Sequence, residues 1–419
     1  MTSKTFCMHP FTGLATREDG AIQACCRSHP VGNIQSQTLE EVWNNDTMRR
    51  IRKQVLNNEW PTECHACKLS EENGVESLRQ RHIEPRIPES RITLYPTALK
   101  SLRDDFTMPF EIPTMEIKLN NLCNLKCRMC HPMDSTSWND WKEVEPFYEK
   151  EGNFMVQAIR DLNLVNKPYL DKFEDNPNWW ASFEKLLPYF RRVEFAGGEP
   201  LMDPQHYRIL NMLKPYGANI EIKYATNGTT IGIKGGRNIH DYWPHFKSVA
   251  VNVSIDGLDS VYSYIRGNGN YSDVVKNINI IKQIPNVRRI VGAVAVQVSN
   301  VLILDKMIES FLDDLGIIFY TNMVNYPNVL CPQVLPTELK ALAIERLELV
   351  SLKVKDFKMV KENPALLDLT LGQIQGIINF LNAKDQSEKW QDCIEFNRRL
   401  DVTRSQSFVD ANPEFIPYV

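Results

Sequence analysis

The sequence predicts an α/β chain: a partial barrel of six βα units, preceded by a small cysteine-rich module and followed by a helical region. Short β-branched or apolar runs recur six times between about residues 112 and 330, and helical patterns separate most of them. Strands that alternate with helices argue for a parallel sheet built of βα units. Eight of the ten cysteines fall in two regions, one before the strands begin and one directly after the first strand. These observations divide the chain into a module at 1–90, a linker at 91–111, a barrel at 112–335 and a helical region at 336–419.

With 419 residues the chain is long enough for one large domain and a smaller module. Lys and Arg total 48 against 52 Asp and Glu, a formal charge of −4. No excess of positive charge is present to neutralise a phosphate backbone, so nucleic acid is not favoured as a partner. The start, MTSKTFCMHP, has no apolar core of a leader, and the longest apolar runs, such as VGAVAVQV, fall well short of the roughly 18 residues of a membrane span. The expectation is a soluble, cytoplasmic protein with no membrane partner. Cysteines gathered in this way point to metal ligation in a reducing compartment rather than to a disulfide framework.

Taken in order, residues 1–90 hold Cys7, Cys25, Cys26, Cys64 and Cys67. Between them QTLEEVWNNDTMRRIRKQVLNN has apolar residues at helical spacing and predicts a helix flanked by cysteines. The polar, Pro-containing segment RHIEPRIPESRITLYPTALK reads as a linker or extended crossover. The six strand patterns are TMEIKLN, RVEFAGG, IEIKYATNG, SVAVNVSIDG, RIVGAVAVQV and IIFYTNMV, and PQHYRILNMLKPY, YSDVVKNINIIKQ and ILDKMIESFLDDLG are helical patterns between them. Residues 131–190, rich in Trp and charge, form an insertion to which the sequence assigns no role. Beyond 336, ELKALAIERLELV, LGQIQGIINFL and WQDCIEFNRRLDVTR predict helices.

NNLCNLKCRMC places Cys123, Cys127 and Cys130 in a CxxxCxxC spacing immediately after the first strand, where the C-terminal end of a barrel strand opens toward an active site. Three thiolates on a cubane of four irons leave one iron open to bind a cofactor or substrate. A zinc knuckle is the alternative use of such a group. EFAGGEP then puts Gly197, Gly198, Glu199 and Pro200 at the end of the second strand, ATNG puts Asn227 and Gly228 at the end of the third, and SIDG with YIRG puts Ser254, Asp256 and Arg266 after the fourth. Singly, each of these is an ordinary turn or surface pattern.

Together they resemble the radical S-adenosylmethionine (SAM) superfamily, and the resemblance extends through the whole barrel. It implies that Cys123, Cys127 and Cys130 hold a 4Fe–4S cluster whose open iron chelates SAM. It implies too that an electron from the cluster splits SAM into methionine and a 5′-deoxyadenosyl radical, which takes hydrogen from a substrate. Gly197, Gly198 and Glu199 match the run that approaches the methionine amino group, where a Cβ would block access. Asn227 matches the family's TNG, while Ser254 and Arg266 match positions that contact the ribose and carboxylate of SAM, a guanidinium suiting a carboxylate as a planar pair of donors. Met129 stands where many relatives carry an aromatic residue whose backbone lies by the adenine. Asp256 is expected to shape its turn.

Cys7, DGAIQACC and ECHAC, with GNI at 32–34 followed by LEEVW and MRRIR, resemble the auxiliary-cluster modules called SPASM and twitch domains. That resemblance implies a second, auxiliary 4Fe–4S cluster on Cys7, Cys25, Cys64 and Cys67. Cys26 is an alternative to Cys25, because adjacent residues of an extended segment point opposite ways. A zinc site on the same thiolates is the alternative metal. In the familiar members the module follows the barrel, whereas here it precedes it.

The implied function is a radical SAM enzyme with a peptide or small-molecule substrate, peptide or protein modification being preferred, and a low-potential electron donor such as flavodoxin or ferredoxin. Small-molecule dehydrogenation and RNA or nucleotide modification are alternatives within enzymes, and a non-catalytic metal-stabilised binding protein is the alternative outside them. Cys331, just past the sixth strand, is a candidate for returning a hydrogen atom to a substrate radical. Its other reading is a buried inert thiol.

Overall fold

The computed structural model describes residues 4–72, 77–83, 95–152 and 154–419. The last residues of the expected module and the first of the expected linker, 84–94, lie outside the described residues. The chain forms two compact units that share it piecewise: one of Met1–Asn120, Leu170–Tyr224 and Lys234–Val249, the other of Asn121–Tyr169, Ala225–Ile233 and Ala250–Val419. Among the described residues no helix is long and apolar enough to cross a membrane.

The first unit contains the short strands β1 (Gly13–Thr16), β2 (Ala21–Gln23) and β3 (Pro30–Asn33), followed by helix α1 (Asp46–Leu56). The single helix expected over 37–58 is instead two, because Asn44 ends the first (Leu39–Trp43) and Asn45 caps α1 by accepting from Met48 N at 2.9 Å. Thr38 and Glu41 form a capping box on the first of them. Met48, Ile51 and Val55 bury one face of α1, and Arg52, fully buried beside them, donates to the Pro10 and Trp43 carbonyls at 2.8 and 2.7 Å.

Strands β4 (Thr114–Ile117), β5 (Arg192–Phe195) and β6 (Glu221–Thr226) begin the predicted series and pair in parallel. Their alternation sets the two faces of the sheet. Met115, Val193 and Ile222 form one apolar rung and Ile117, Phe195 and Tyr224 the next, all nearly or fully buried. Each such side chain contributes roughly 1.5–3 kcal/mol by leaving water. The opposite face carries Glu116, Glu194 and Lys223 in register, with Lys223 Nζ 2.7 Å from Glu194, and Arg192 pairs with Glu221 at 2.8 Å.

The strand order in this unit is β3-β2-β1-β4-β5-β6, with β1 parallel to β4 through Gly13–Thr114, Leu14–Met115 and Ala15–Glu116. A cysteine-rich module that precedes the barrel therefore joins it as added strands, covering the edge that β4 would otherwise expose. Gly13 is needed there, since a Cβ would stand 2.4 Å from Thr114 Oγ1.

Helix α2 (Pro204–Leu213) follows β5 and is capped by Asp203, whose carboxylate accepts from Gln205 N at 2.8 Å. The second unit holds most of β7 (Ser248–Ser254), with β8 (Val287–Val296) and β9 (Ile318–Met323) in the order β7-β8-β9, the last pair parallel over six residues. All six expected strand patterns thus form strands. Helices α3 (Asp259–Arg266) and α4 (Tyr271–Ile281) lie between β7 and β8. The C-terminal region is helical as expected, with α5 (Thr337–Ser351), α6 (Ala365–Ala383) and α7 (Trp390–Arg404).

Candidate active site

In the second unit the loop that follows β4 folds back on itself so that Cys123, Leu125 and Cys127 bury together, with Met129 and Cys130 packed against them. Polar side chains of the loop's own surroundings hold this shape. Ser137 Oγ donates to the Cys123 carbonyl at 2.8 Å, Ser135 Oγ to the Leu125 carbonyl at 2.5 Å, and Trp138 Nε1 to the Cys127 carbonyl at 3.1 Å. The insertion after residue 131, without a role in the sequence reading, supplies all three of these donors.

Two of the thiols meet polar partners from separate elements, one at the end of helix α3 and one directly after strand β6. Arg266 Nη1 lies 3.5 Å from Cys127 Sγ, and Asn227 Nδ2 lies 3.8 Å from Cys123 Sγ. Hydrogen bonding by the Cys130 thiol, and then the Arg266 guanidinium, hold Cys127 below the ordinary thiol range against the effect of burial. The same bond, with burial, pushes Cys130 well above it. A cation beside a buried thiol favours the thiolate, the form that binds a metal.

Asn227 turns the chain through ATNG: its Oδ1 accepts from Thr229 N at 2.9 Å, and its Nδ2 donates to Asn124 Oδ1 at 2.9 Å, tying this turn to the cysteine loop. Gly228, with φ +73°, has no room for a Cβ, which would fall 2.6 Å from Val253 Cγ1. Ser254 ends β7, half-buried. Asp256 is fully buried, accepts from Ala295 N at 2.7 Å and pairs with Arg266 Nη2 at 2.5 Å. It therefore does more than shape its turn, because it orients the guanidinium that faces Cys127.

Sequence reasoning missed Gln297, at the end of β8. Its side chain is fully buried, its Nε2 is 3.9 Å from Met129 Sδ, and its Oε1 has no hydrogen-bond partner among the described residues. An amide oxygen left unsatisfied in the interior costs about 1–3 kcal/mol, so it marks a place where a donor belongs. A polar residue directly after an apolar strand was the available signal. Cys331 is 1% exposed, with its thiol 3.9 Å from Gln333 Oε1 and pushed up by burial.

The first unit holds the glycine run. Gly197 has φ +83°, and a Cβ would stand 2.9 Å from Glu18 Oε1 and 3.0 Å from Lys118 Cβ, so only glycine fits. Gly198 follows it, half-buried, and Glu199, 1% exposed, accepts from Leu201 N at 3.1 Å to close the turn at Pro200–Met202.

The same unit gathers the N-terminal thiols. Cys7, Cys25 and Cys64 are each pushed up to about 12, first by burial and also by neighbouring thiols: Cys7 by Cys64 and Cys67, Cys25 by Cys7 and Cys67, Cys64 by Cys25 and Cys67. Cys26 faces another way and hydrogen-bonds with Glu116 of β4. The turns that carry these cysteines are pinned to one another, since His29 N donates to the Glu63 carbonyl at 2.9 Å, Arg50 pairs with Glu63 at 2.7 Å, and Arg79 Nη1 donates to the Phe6 carbonyl at 3.0 Å. Among the described residues no three His, Cys, Asp or Glu side chains converge closely enough to share one metal ion.

Comparison with known proteins comes to the same two regions. Residues 7–68 match the family described as SPASM, an iron–sulfur cluster-binding domain, and residues 117–293 match the radical SAM superfamily. No curated protein matches the chain. Among solved structures, one of TYW1 with a lysine-pyruvate adduct bound is 11% identical, covers 59% of this chain and 71% of its own, and has a TM-score of 0.30. Streptococcus suis SuiB bound to precursor peptide SuiA is 14% identical, covers 78% of this chain and 62% of its own, and has a TM-score of 0.35. SuiB bound to S-adenosylmethionine is 14% identical, covers 77% and 62%, and has a TM-score of 0.30. The chain thus spans less than two thirds of the length of SuiB.

Proposed function

We propose, starting from a chain that belongs to the radical SAM superfamily and carries an N-terminal SPASM domain, that Cys123, Cys127 and Cys130 hold the SAM-binding cluster and that the substrate is a peptide or protein. The superfamily's cofactors are a 4Fe–4S cluster and SAM, and the SPASM domain brings an auxiliary iron–sulfur cluster. When bound, the SAM-binding cluster supplies the electron that splits SAM and so provides the radical that removes hydrogen from the substrate.

The observation that carries the reading is the grouping of Cys123, Cys127 and Cys130 in one folded-back loop, with an Arg266 guanidinium, oriented by Asp256, 3.5 Å from Cys127 Sγ. Three thiols in one loop suit a cubane, whose irons sit at separate corners so that its ligands need not converge on one point. Cys7, Cys25, Cys64 and Cys67 suit the auxiliary cluster for the same reason, and the turn of Cys26 toward Glu116 favours Cys25 as the ligand.

Within the second unit, Asn227, Ser254 and Arg266 supply polar contact to SAM; Gly197 and Gly198 of the first unit match the superfamily's run of bare backbone for its methionine end. Gln297 Oε1, buried beside Met129 with no partner, accepts from a donor of the adenosine end. Cys331 keeps its two readings, hydrogen-atom return and a buried inert thiol, and its 1% exposure favours the second. The protein's task is to orient SAM and keep water from the radical. A low-potential donor such as flavodoxin or ferredoxin would supply the electron. Peptide modification is favoured because modules of this kind often accompany it in the superfamily.

The test is anaerobic reconstitution with iron and sulfide, then assay of 5′-deoxyadenosine after adding SAM and dithionite. Formation of deoxyadenosine is expected, with the SAM concentration for half-maximal rate rising about 10-fold in Gln297→Leu, the effect of losing one hydrogen bond of about 1–1.5 kcal/mol. No deoxyadenosine from a fully loaded chain would contradict the proposal.

A further inference from the structure

The residues on either side of Cys127 are gripped from the C-terminal end of the chain. Arg128, between Cys127 and Met129, is fully buried, and its backbone N donates to the Ile265 carbonyl at 2.9 Å. Its guanidinium lies 3.6 Å from the centre of the Tyr264 ring and donates to Asn397 Oδ1 at 3.1 Å, to Gln406 Oε1 at 3.0 Å and to Asp401 Oδ1 at 2.5 Å. Asn397 and Asp401 are one turn apart on α7, so they present acceptors on one face of it. Tyr264 completes the enclosure by donating its hydroxyl to the same Asn397 oxygen at 3.1 Å.

A second grip lies at the end of the helix. Arg404 Nη1 donates to the Lys126 carbonyl at 2.7 Å, its Nε donates to Asp140 Oδ2 at 2.6 Å, and its guanidinium lies 4.6 Å from the ring of Trp138. Trp138 is the residue whose indole N–H donates to the Cys127 carbonyl. Lys126, Cys127 and Arg128 are thus held in turn by Arg404, by Trp138 under Arg404, and by Asp401 with Asn397.

We propose that α7 is a clamp on the cluster loop, and that Asp401 and Arg404 are positioning residues that set the placement of Cys127 and with it the retention and electronic character of the SAM-binding cluster. The inference rests on the assignment of that cluster to Cys123, Cys127 and Cys130. A buried guanidinium needs a counter-charge: with that of Asp401 gone, the neutral acceptors Asn397 and Gln406 leave the Arg128 charge unbalanced in the interior, and it would pull the loop toward water. Displacing the backbone on both sides of Cys127 moves the thiolate that Arg266 faces. Partners that orient ligands without touching the metal are worth roughly 10- to 100-fold in metal affinity.

The test uses the full reconstituted chain and two variants on the same helix. Asp401→Asn keeps the volume and can still accept from Phe408 N, which Asp401 Oδ2 now does at 2.8 Å, but it loses the charge. Glu395→Gln, whose carboxylate pairs with Arg398 and Arg399 of the same helix, is the control. Chelator-driven loss of the SAM-binding cluster should be at least about 10-fold faster in Asp401→Asn than in the wild type or the control. Loss of the auxiliary cluster should be unchanged, and the electron paramagnetic resonance (EPR) change on adding SAM should be altered. Equal acceleration at both clusters would mean general destabilisation and would overturn the clamp, as would a wild-type rate and an unaltered signal. A wild-type chain with no cluster on the loop would instead overturn the site assignment beneath it.

Discussion

Replacing Cys123, Cys127 and Cys130 together by Ala is expected to abolish deoxyadenosine formation and to lower iron from about eight to about four per chain. The expectation follows from where these residues sit. All three belong to one loop, and no other cysteine packs in the buried group that they form with Leu125 and Met129. The remaining iron should stay, because the N-terminal thiols are held by their own turns through Glu63, Arg50 and Arg79. Retained SAM cleavage in the triple variant would remove the site from this loop. Iron analysis and a deoxyadenosine assay on the same sample check both halves.

The second large effect is expected at the other end of the chain. Cys64→Ser with Cys67→Ser should remove about four irons, whereas Cys26→Ala should remove none. Cys7, Cys25 and Cys64 each stand high as free thiols chiefly because they are buried, so they lose their protons to a bound metal rather than to water. A metal that binds only the folded module stabilises it, and the double variant should therefore melt at a lower temperature than the wild type. Cys26, engaged with Glu116, is outside that set. Iron loss in Cys26→Ala equal to that of the double variant would reverse the choice between Cys25 and Cys26, and about eight irons retained in the double variant would dismiss the four-thiol assignment.

Much of the fold was legible because its signals are local. The rungs Met115–Val193–Ile222 and Ile117–Phe195–Tyr224 are the apolar alternation of three strands seen end on, and Asn227-Gly228 and Gly197 mark turns whose φ is positive at the glycine. The cysteine loop was legible for the same reason, with its three thiols inside eight residues. What escaped the sequence depends on distant partners. The parallel pairing of β1 with β4 joins segments about a hundred residues apart, and no periodicity announces it. Arg128 reads as a surface cation until Asp401, 273 residues on, is placed beside it. Gln297 belongs to no motif, and beyond its place directly after an apolar strand it is marked by an oxygen left without a partner among the described residues once the interior closes. The split of the expected helix over 37–58 was closer to readable, since Thr38 and Glu41 have capping-box spacing and Asn45 is a good cap.

The central claim is that an open iron on the Cys123–Cys130 loop binds SAM. EPR of the dithionite-reduced, fully loaded chain before and after adding SAM tests it most directly, because a ligand that chelates one iron changes the signal of that cluster alone. The account predicts two overlapping cluster signals, of which one shifts on SAM addition and is missing from the triple Ala variant while the other is unchanged in both. Two signals that ignore SAM, or a SAM-dependent shift that survives in the triple Ala variant, would contradict it.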